Sequence, residues 1–230
     1  MNQARNTIFN NIRNSLGRHK IDDNIVQTGQ ERLAKHTEHK QPNLGQGLTN
    51  KFIHQLEKVG CTLEPVINIK EIPFAVLEFL RQHDLPKKIV VDNRFKELPW
   101  PPNKLRPDCR AATAQDVVSV SQAFAGVVET GSLVLLSSPD SPTTLNFLPD
   151  NHIVVLYTSD IVTHIENVWA RLRTQTMPRT VNFITGPSRT ADIEQTIQLG
   201  VHGPRRLHVI WVGQPFLMIP TLPTIKNNYL

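Results

Sequence analysis

With 230 residues, of which 39% are hydrophobic and 20% charged, the chain has the composition of a soluble globular protein with one substantial core. No apolar run approaches the roughly 20 residues that a membrane helix needs, and the first residues lack the apolar core of a signal peptide. We therefore expect a cytoplasmic protein without a membrane span. The formal net charge is +5, and most of it lies in residues 1–60, which hold nine Lys and Arg against five Asp and Glu residues.

The first predicted element is a short helix at Asn6–Leu16, because apolar residues recur four apart on one face. Residues 17–49 are polar and rich in Gln and His, which predicts a flexible arm. We therefore divide the chain into an N-terminal helix and arm, residues 1–48, and an α/β domain, residues 49–230. The basic arm suits an acidic partner surface or nucleic acid, or is a solvated leader. No basic stripe interleaved with aromatic residues favours nucleic acid, so we expect none as a ligand.

The α/β domain opens with a helix predicted from an N-cap at Thr49 to Val59, and Gly60 suits the position after its end. A strand at Thr62–Val66 follows. The next predicted helix has Pro73 in its first turn. Its expected apolar face consists of Phe74, Leu77 and Leu80.

The rest of the domain alternates short apolar strands with helices. After a strand at Lys88–Val91, four prolines between residues 99 and 107 predict an extended loop. The further strand candidates are Val117–Val120, Leu133–Ser137, Ile153–Tyr157, Val181–Thr185 and Leu207–Val212, and the helix candidates are Ile161–Arg173 and Ala191–Leu199. This alternation predicts an α/β fold with a mostly parallel sheet covered by helices on both faces. Ligands of such sheets bind at the carboxyl ends of the strands, and we expect the candidate loops there.

The first candidate loop runs from Gly186 into the helix predicted at Ala191. The N–H groups and dipole of a first helical turn hold carboxylates or phosphates, and Arg189 adds a bidentate donor. The candidate anion-binding residues are Gly186, Ser188, Arg189, Thr190 and Asp192. In the structural alternative, Ser188 or Thr190 only caps the helix and Asp192 complements its dipole.

The second candidate loop lies at residues 200–206, where two glycines and a proline fix a sharp connection. His202 is a candidate acid, base or ligand there, and Arg205 is a further candidate for binding an anion. The alternative for His202 is a hydrogen-bonded turn residue. Because no second His or Cys stands at ligand spacing, we predict no metal site.

The third candidate loop is Glu129-Thr130-Gly131-Ser132, which enters an apolar strand. Glu129 is a candidate base or nucleophile, and Thr130 and Gly131 are candidates for substrate binding. The alternative is a simple turn in which Glu129 is exposed or forms a structural salt bridge. The sequence contains no GxSxG, Walker A or GxGxxG motif, so the fingerprints of serine hydrolases, P-loop proteins and dinucleotide-binding proteins are missing.

Cys61 and Cys109 are the two cysteines of the chain, and they form no CxxC pair. An iron–sulfur cluster normally takes four thiolates, so these residues cannot hold one alone. We expect no cofactor on this chain by itself. If the protein takes part in electron transfer, the carrier lies on another subunit.

Three segments resemble the LUD-domain family. Residues 129–135 are similar to its ETGT/S-LVL segment, residues 186–194 to its GPSRTADIE block, and residues 200–205 to its GVHGPR block. The segments occur in family order, and the nine-residue block is highly specific. The similarity extends from about residue 50 to the C-terminus.

The resemblance implies a fold related to the CoA-transferases, ribose-5-phosphate isomerases and formyltetrahydrofolate cyclo-ligases. The modest length and the missing cysteine clusters are similar to C-type members of the family and unlike the longer, cysteine-bearing B-type. This implies a component of a three-protein system that oxidises L-lactate to pyruvate, with iron–sulfur clusters on the other two proteins and a small carboxylate as substrate.

Two other functions remain open. One is a self-sufficient enzyme acting on a small anionic substrate, or on one that bears CoA or phosphate, with Glu129 as base or nucleophile and Arg189 as anion clamp. The other is an interaction module whose loops only pack. Cysteine poverty and the basic arm favour the lactate system, whereas the related folds favour the enzyme.

Overall fold

The computed structural model describes residues 2–17, 23–34, 40–190, 198–200 and 202–213, and contacts divide the chain into two compact units, residues 1–41 and 42–230. The first unit contains α1 (Asn2–Ser15) and α2 (Asp23–Ala34). The predicted first helix is thus confirmed. Residues 23–34 of the expected arm form α2, and the flexibility of the arm stays a prediction. The division at residue 48 stays a prediction.

The second unit contains twelve strands and four α-helices among the described residues. The strands are β1 (Thr62–Val66), β2 (Lys88–Val91), β3 (Arg106–Asp108), β4 (Val118–Gln122), β5 (Ala125–Val127), β6 (Ser132–Leu136), β7 (Asn151–Tyr157), β8 (Ile161–Val162), β9 (Val181–Ile184), β10 (Arg189–Thr190), β11 (Gln198–Leu199) and β12 (Arg206–Val212). The helices are α3 (Leu48–Lys58), α4 (Ile72–Gln82), α5 (Thr144–Phe147) and α6 (Ile165–Arg173).

The main sheet has six strands in the order β1-β12-β7-β4-β2-β3, and every neighbouring pair is parallel. A second sheet has the order β8-β5-β6-β9, in which β5 pairs parallel with β8 and β6 runs antiparallel to both of its neighbours. A two-residue antiparallel ladder joins β10 to β11. The fold class predicted from the sequence, α/β with a mostly parallel sheet and flanking helices, is confirmed.

Alternate residues of the central strands pack on opposite faces of the main sheet. Ile153 and Val155 of β7 belong to a core under α4, whereas Val154 and Leu156 belong to a core with α3 and the second sheet. The outer face of the second sheet packs against Val168 and Leu172 of α6. The long apolar runs of the strands are explained by this burial on both sides.

Two helices differ in detail from their predictions. Thr49 was expected to cap α3, but Gly47 precedes the helix and Thr49 lies in its first turn. Gly60 follows its end with φ +89°, as predicted. In α4, Pro73 lies in the first turn as predicted, but Phe74 is 62% exposed and was wrongly assigned to the buried face. That face is formed by Ile72, Ala75, Val76, Phe79 and Leu80.

Two further predictions are corrected by strands. Residues 161–162, expected to begin a helix, form β8, and α6 starts at Ile165. The helix expected at Ala191–Leu199 is contradicted at its end, because Gln198 and Leu199 form β11. Residues 191–197 lie outside the described residues. No helix among the described residues is both long and apolar enough to cross a membrane.

Candidate functional site

The segments that contain the candidate residues meet along the C-terminal half of α3. Gln55 donates a hydrogen bond from Nε2 to the carbonyl of Glu129, at 3.3 Å. Gly131 has φ +69°, and a Cβ there would lie 2.7 Å from the Cβ of Gln55. One turn later along α3, a Cβ on Gly186, with φ +90°, would lie 2.9 Å from the carbonyl oxygen of Val59. Glycine at both positions therefore allows two turns to approach one helix closely.

Glu129 is paired with His164, a residue that the sequence did not point to. Its Oε2 lies 3.2 Å from Nδ1 of His164, and the two side chains are 25% and 12% exposed. The pairing follows from the parallel strands β5 and β8, because Glu129 and His164 both lie just beyond their carboxyl ends. The N–H of Glu129 donates to the carbonyl of Thr163, and the N–H of His164 donates to Oδ1 of Asn167. A carboxylate that orients an imidazole is an arrangement for general acid–base chemistry.

A chain of three hydroxyl groups connects the turn at Gly131 to the turn at Gly186. The oxygens of Thr130 and Ser132 lie 2.7 Å apart, and Ser132 is 2.7 Å from Oγ1 of Thr185, which directly precedes Gly186. The antiparallel pairing of β6 and β9 produces this contact, since Leu133 lies opposite Ile184. The hydroxyls are therefore held in one row between the two turns.

Arg189 points to the C-terminus of α3. Its Nη2 donates to the carbonyl of Val59, at 2.7 Å, where the helix dipole favours a cation. Beside it, burial raises the pKa of the Cys61 thiol to about 11, although Arg189 and the N–H of Gly186 act in the opposite direction. Cys61 is therefore a protonated, buried thiol at neutral pH.

The loop at residues 200–206 contacts the segment that follows Gly186 through Ser188. The N–H of Ser188 donates to the carbonyl of Pro204, and its own carbonyl accepts from the N–H of Gly200. His202 and Arg205 are exposed. Among the described residues, no hydrogen bond or ion pair joins either side chain to the Glu129–His164 pair. The loop precedes β12, so it lies at the amino edge of the main sheet and not at the predicted carboxyl edge.

The structure differs in two respects from the anion site that the sequence predicts at a helix N-terminus. Arg189 and Thr190 belong to β10 and not to a first helical turn, and the N–H of Ser188 is occupied by Pro204. Asp192 lies outside the described residues. The roles assigned to these residues, and to Thr130, Gly131 and Gly186, stay predictions.

His164 had one weak sequence signal. It follows three β-branched residues that precede a helix, but β8 has only two residues, which the helical spacing assigns to the helix. Within the described ranges, no group of three or more His, Cys, Asp or Glu side chains is arranged to hold a metal ion. The polar groups that the structure places on these segments are one carboxylate–imidazole pair, three hydroxyls and one exposed guanidinium.

The fold and the three joined segments define a class of α/β proteins with a parallel sheet and glycine turns packed on a helix. Residues 49–212 match the LUD domain, and the chain belongs to the LUD domain family. The fold is also similar to that of a DUF162 family protein from Deinococcus radiodurans, with a TM-score of 0.54 and 22% identity over 72% of this chain and 96% of the other.

Several relatives are similar over part of the sequence. An uncharacterized protein of Neisseria meningitidis is 40% identical over 39% of this chain and 40% of its own length. A lactate utilization protein C of Anoxybacillus flavithermus is 33% identical over 46% of this chain and 47% of its own, and one of Bacillus licheniformis is 32% identical over 52% and 59%. The chain thus spans about half the length of the curated relatives it matches.

Proposed function

We propose that this protein is a component of an L-lactate utilization system and is needed, together with two iron–sulfur partner proteins, to oxidise L-lactate to pyruvate in the cytoplasm. The observation that carries the proposal is the similarity to proteins named lactate utilization protein C. The site geometry supports it, because a 2-hydroxy acid requires a base for its hydroxyl proton and a cation for its carboxylate.

His164 is the proposed base. Oxidation of L-lactate to pyruvate breaks the O–H and Cα–H bonds, forms the C=O bond and releases two protons and two electrons. In the proposal the Cα proton is lost to solvent and the two electrons pass to the partner proteins. Nδ1 of His164 faces Glu129, and Nε2 has no hydrogen-bond partner among the described residues. In the proposal Nε2 accepts the hydroxyl proton, and the Glu129 carboxylate stabilises the imidazolium that forms.

The cation proposed for the substrate carboxylate is Arg189. Its side chain is exposed, and its bond to Val59 holds the guanidinium in place. The hydroxyl row of Thr130, Ser132 and Thr185 supplies further donors. The anion role does not require the helix that was predicted, since an oriented guanidinium binds a carboxylate by itself.

The electrons are proposed to leave on the partners' iron–sulfur clusters. The two thiols of these 230 residues are fewer than the four that a cluster normally takes. Cys61 is buried with a raised pKa, and burial also raises the pKa of Cys109. A raised thiol pKa disfavours the thiolate that a cluster iron binds.

Reconstitution tests the proposal. Lactate-dependent dye reduction is measured for the two purified iron–sulfur proteins with and without this chain, and for this chain alone. We expect reduction only in the complete mixture. Full activity of the partners without this chain contradicts the proposal. Turnover of a CoA or phosphate compound by the isolated chain supports instead a self-sufficient enzyme.

A further inference from the structure

A groove of about 430 Å³ lies between the edge strand β1 and α4, on the sheet face opposite α3. Its volume is in the range of ligand-binding cavities. It combines carboxylates from both elements and from the turn between them with an apolar floor. The residues that matter are Glu64, Glu71 and Glu78, and the apolar Val66, Phe74 and Leu77.

One large apolar side chain is exposed in the lining of the groove, and another directly follows the lining residue Val66 in the sequence. Phe74 is 62% exposed, and Ile67, just beyond the end of β1, is 75% exposed. An apolar side chain that is exposed within a groove offers contact area that a protein partner can bury. The pattern of α4 did not predict that Phe74 is exposed. A partner bound at the groove would bury this side chain.

Among the residues that the structure describes, Glu64 has no effective counter-ion. Its Oε2 lies 3.7 Å from Nε2 of His208, which is 5% exposed and whose Nδ1 is bound to the hydroxyl of Thr62. Nε2 of this buried imidazole has no hydrogen-bond partner among the described residues. Burial lowers the pKa of His208 to about 4, so the ring is neutral at neutral pH. Burial, with a smaller contribution from Glu78, raises the pKa of Glu64.

The other two carboxylates leave the groove acidic. Glu71 accepts hydrogen bonds from the backbone of Ile67 and the amide of Asn68, neither of which neutralises its charge. Glu78 pairs with Arg81, whose side chain is 79% exposed, and such surface pairs contribute little. A cation placed between Glu64 and Glu78 therefore relieves a repulsion that the described chain leaves in place.

We propose that this groove docks a basic amphipathic segment of a protein partner, with a Lys or Arg side chain between Glu64 and Glu78 and apolar side chains against Phe74 and Ile67. The charge favours a basic ligand and opposes nucleic acids and anionic lipids. The apolar residues favour a protein segment over a free amine, since an amine gains only the ionic contact. This inference is independent of the lactate proposal.

The experiment titrates the full chain with a synthetic amphipathic helical peptide of Leu and Lys at low ionic strength. In a second series Glu replaces each Lys of the peptide. We expect the chain to bind the Lys peptide and not the Glu peptide. Glu64→Gln should raise the Kd of the Lys peptide about tenfold, the value of one charge-assisted contact. Phe74→Ser should raise it about tenfold through lost apolar burial. Glu97→Gln, an exposed carboxylate outside the groove, should leave Kd unchanged.

Three results overturn the proposal. The first is that the wild type does not bind the Lys peptide, and the second is that the wild type, Glu64→Gln and Phe74→Ser bind it with equal Kd values. The third is that butylammonium binds as tightly as the Lys peptide, which assigns the groove to small amines. If Glu64→Gln fails to fold, the exposed Phe74→Ser substitution decides, because it removes no core contact.

Discussion

The two sides of the edge strand β1 differ in how their polar groups are satisfied. On the α3 side, the turns that carry the family segments are held by backbone hydrogen bonds, hydroxyl pairs and glycines in close contact with the helix. On the α4 side, Glu64 faces a neutral imidazole, and Phe74 is exposed.

The difference separates two kinds of functional surface. A site for chemistry needs groups held in fixed positions, and the α3 side shows this in the Glu129–His164 pair. A docking surface leaves charge and apolar area for the partner to satisfy, as the α4 side does.

Loss of the acid–base pair should have the largest effect. We expect His164→Asn and Glu129→Gln each to lower the turnover of lactate in the reconstituted system by about 10²–10⁴-fold, the range for removal of a general base or its orienting partner. The matched control is Glu166→Gln, because Glu166 lies in the first turn of α6, the helix that His164 caps. Near-normal turnover by His164→Asn would exclude His164 as the base.

Acid should destabilise the protein through one buried histidine on each side of the main sheet. Burial lowers the pKa of His152 to about 3 and that of His208 to about 4, whereas both titrate near 6.5 when unfolded. Their contribution is complete above pH 6.5 and is lost as pH falls toward 4, because only the unfolded state gains the protons. By pH 5 the expected loss is about 2 kcal/mol for each histidine. Glu64, with its raised pKa, partly opposes this loss.

Urea unfolding at pH 7 and pH 5 measures the acid effect. His152→Asn should remove about half of the difference, whereas His202→Asn, an exposed control, should retain it. Equal free energies of unfolding at the two pH values would contradict the assignment of two neutral, buried imidazoles.

The close approach of the glycine turn to α3 should be visible in stability. Gly131 and Gly45 have nearly the same φ, +69° and +68°, but a Cβ on Gly131 meets Gln55 at 2.7 Å, and a Cβ on Gly45 meets nothing within 4 Å. Gly131→Ala should therefore destabilise the fold by about 1–3 kcal/mol more than Gly45→Ala, which has only the backbone cost. The comparison uses chemical denaturation, and equal losses would rule out the packing argument.

Arg189 should show the smallest effect on stability. Arg189→Ala removes one hydrogen bond at the end of α3, so we expect a loss of about 1 kcal/mol. In the reconstituted assay we expect a KM for lactate about tenfold higher with little change in kcat, since the carboxylate contact is present before and during reaction. An unchanged KM with reduced stability would leave Arg189 as a helix cap alone.

Much of the fold could be predicted from the sequence, for physical reasons. β1 and β2 have their predicted bounds, because both end at turns; β2 is also an apolar run buried from both faces, whereas β1 is an edge strand in which only Val66 is buried. β5 and β8, with three and two residues, are too short for any periodicity. The exposed Phe74 was misassigned because helical spacing shows which residues share a face, not whether that face is covered.

The candidate site could be predicted only in part. Glu129 was identified from its turn, but its partner is 35 positions away and is brought to it by the parallel pairing of β5 and β8. No spacing rule shows such a contact. The groove at α4 was not found either, since Glu64, Glu78 and His208 come together only when β1 pairs with β12 and α4 covers them.

Growth on L-lactate is the most direct test of the proposed function and its site. A strain that lacks other lactate dehydrogenases and this gene is grown on L-lactate or on pyruvate, with the wild-type chain or Glu129→Gln supplied from a plasmid. We expect growth on pyruvate in every case, and growth on L-lactate only with the wild-type chain. Normal growth of the deletion strain on L-lactate would contradict the lactate function, and full rescue by Glu129→Gln would contradict the site.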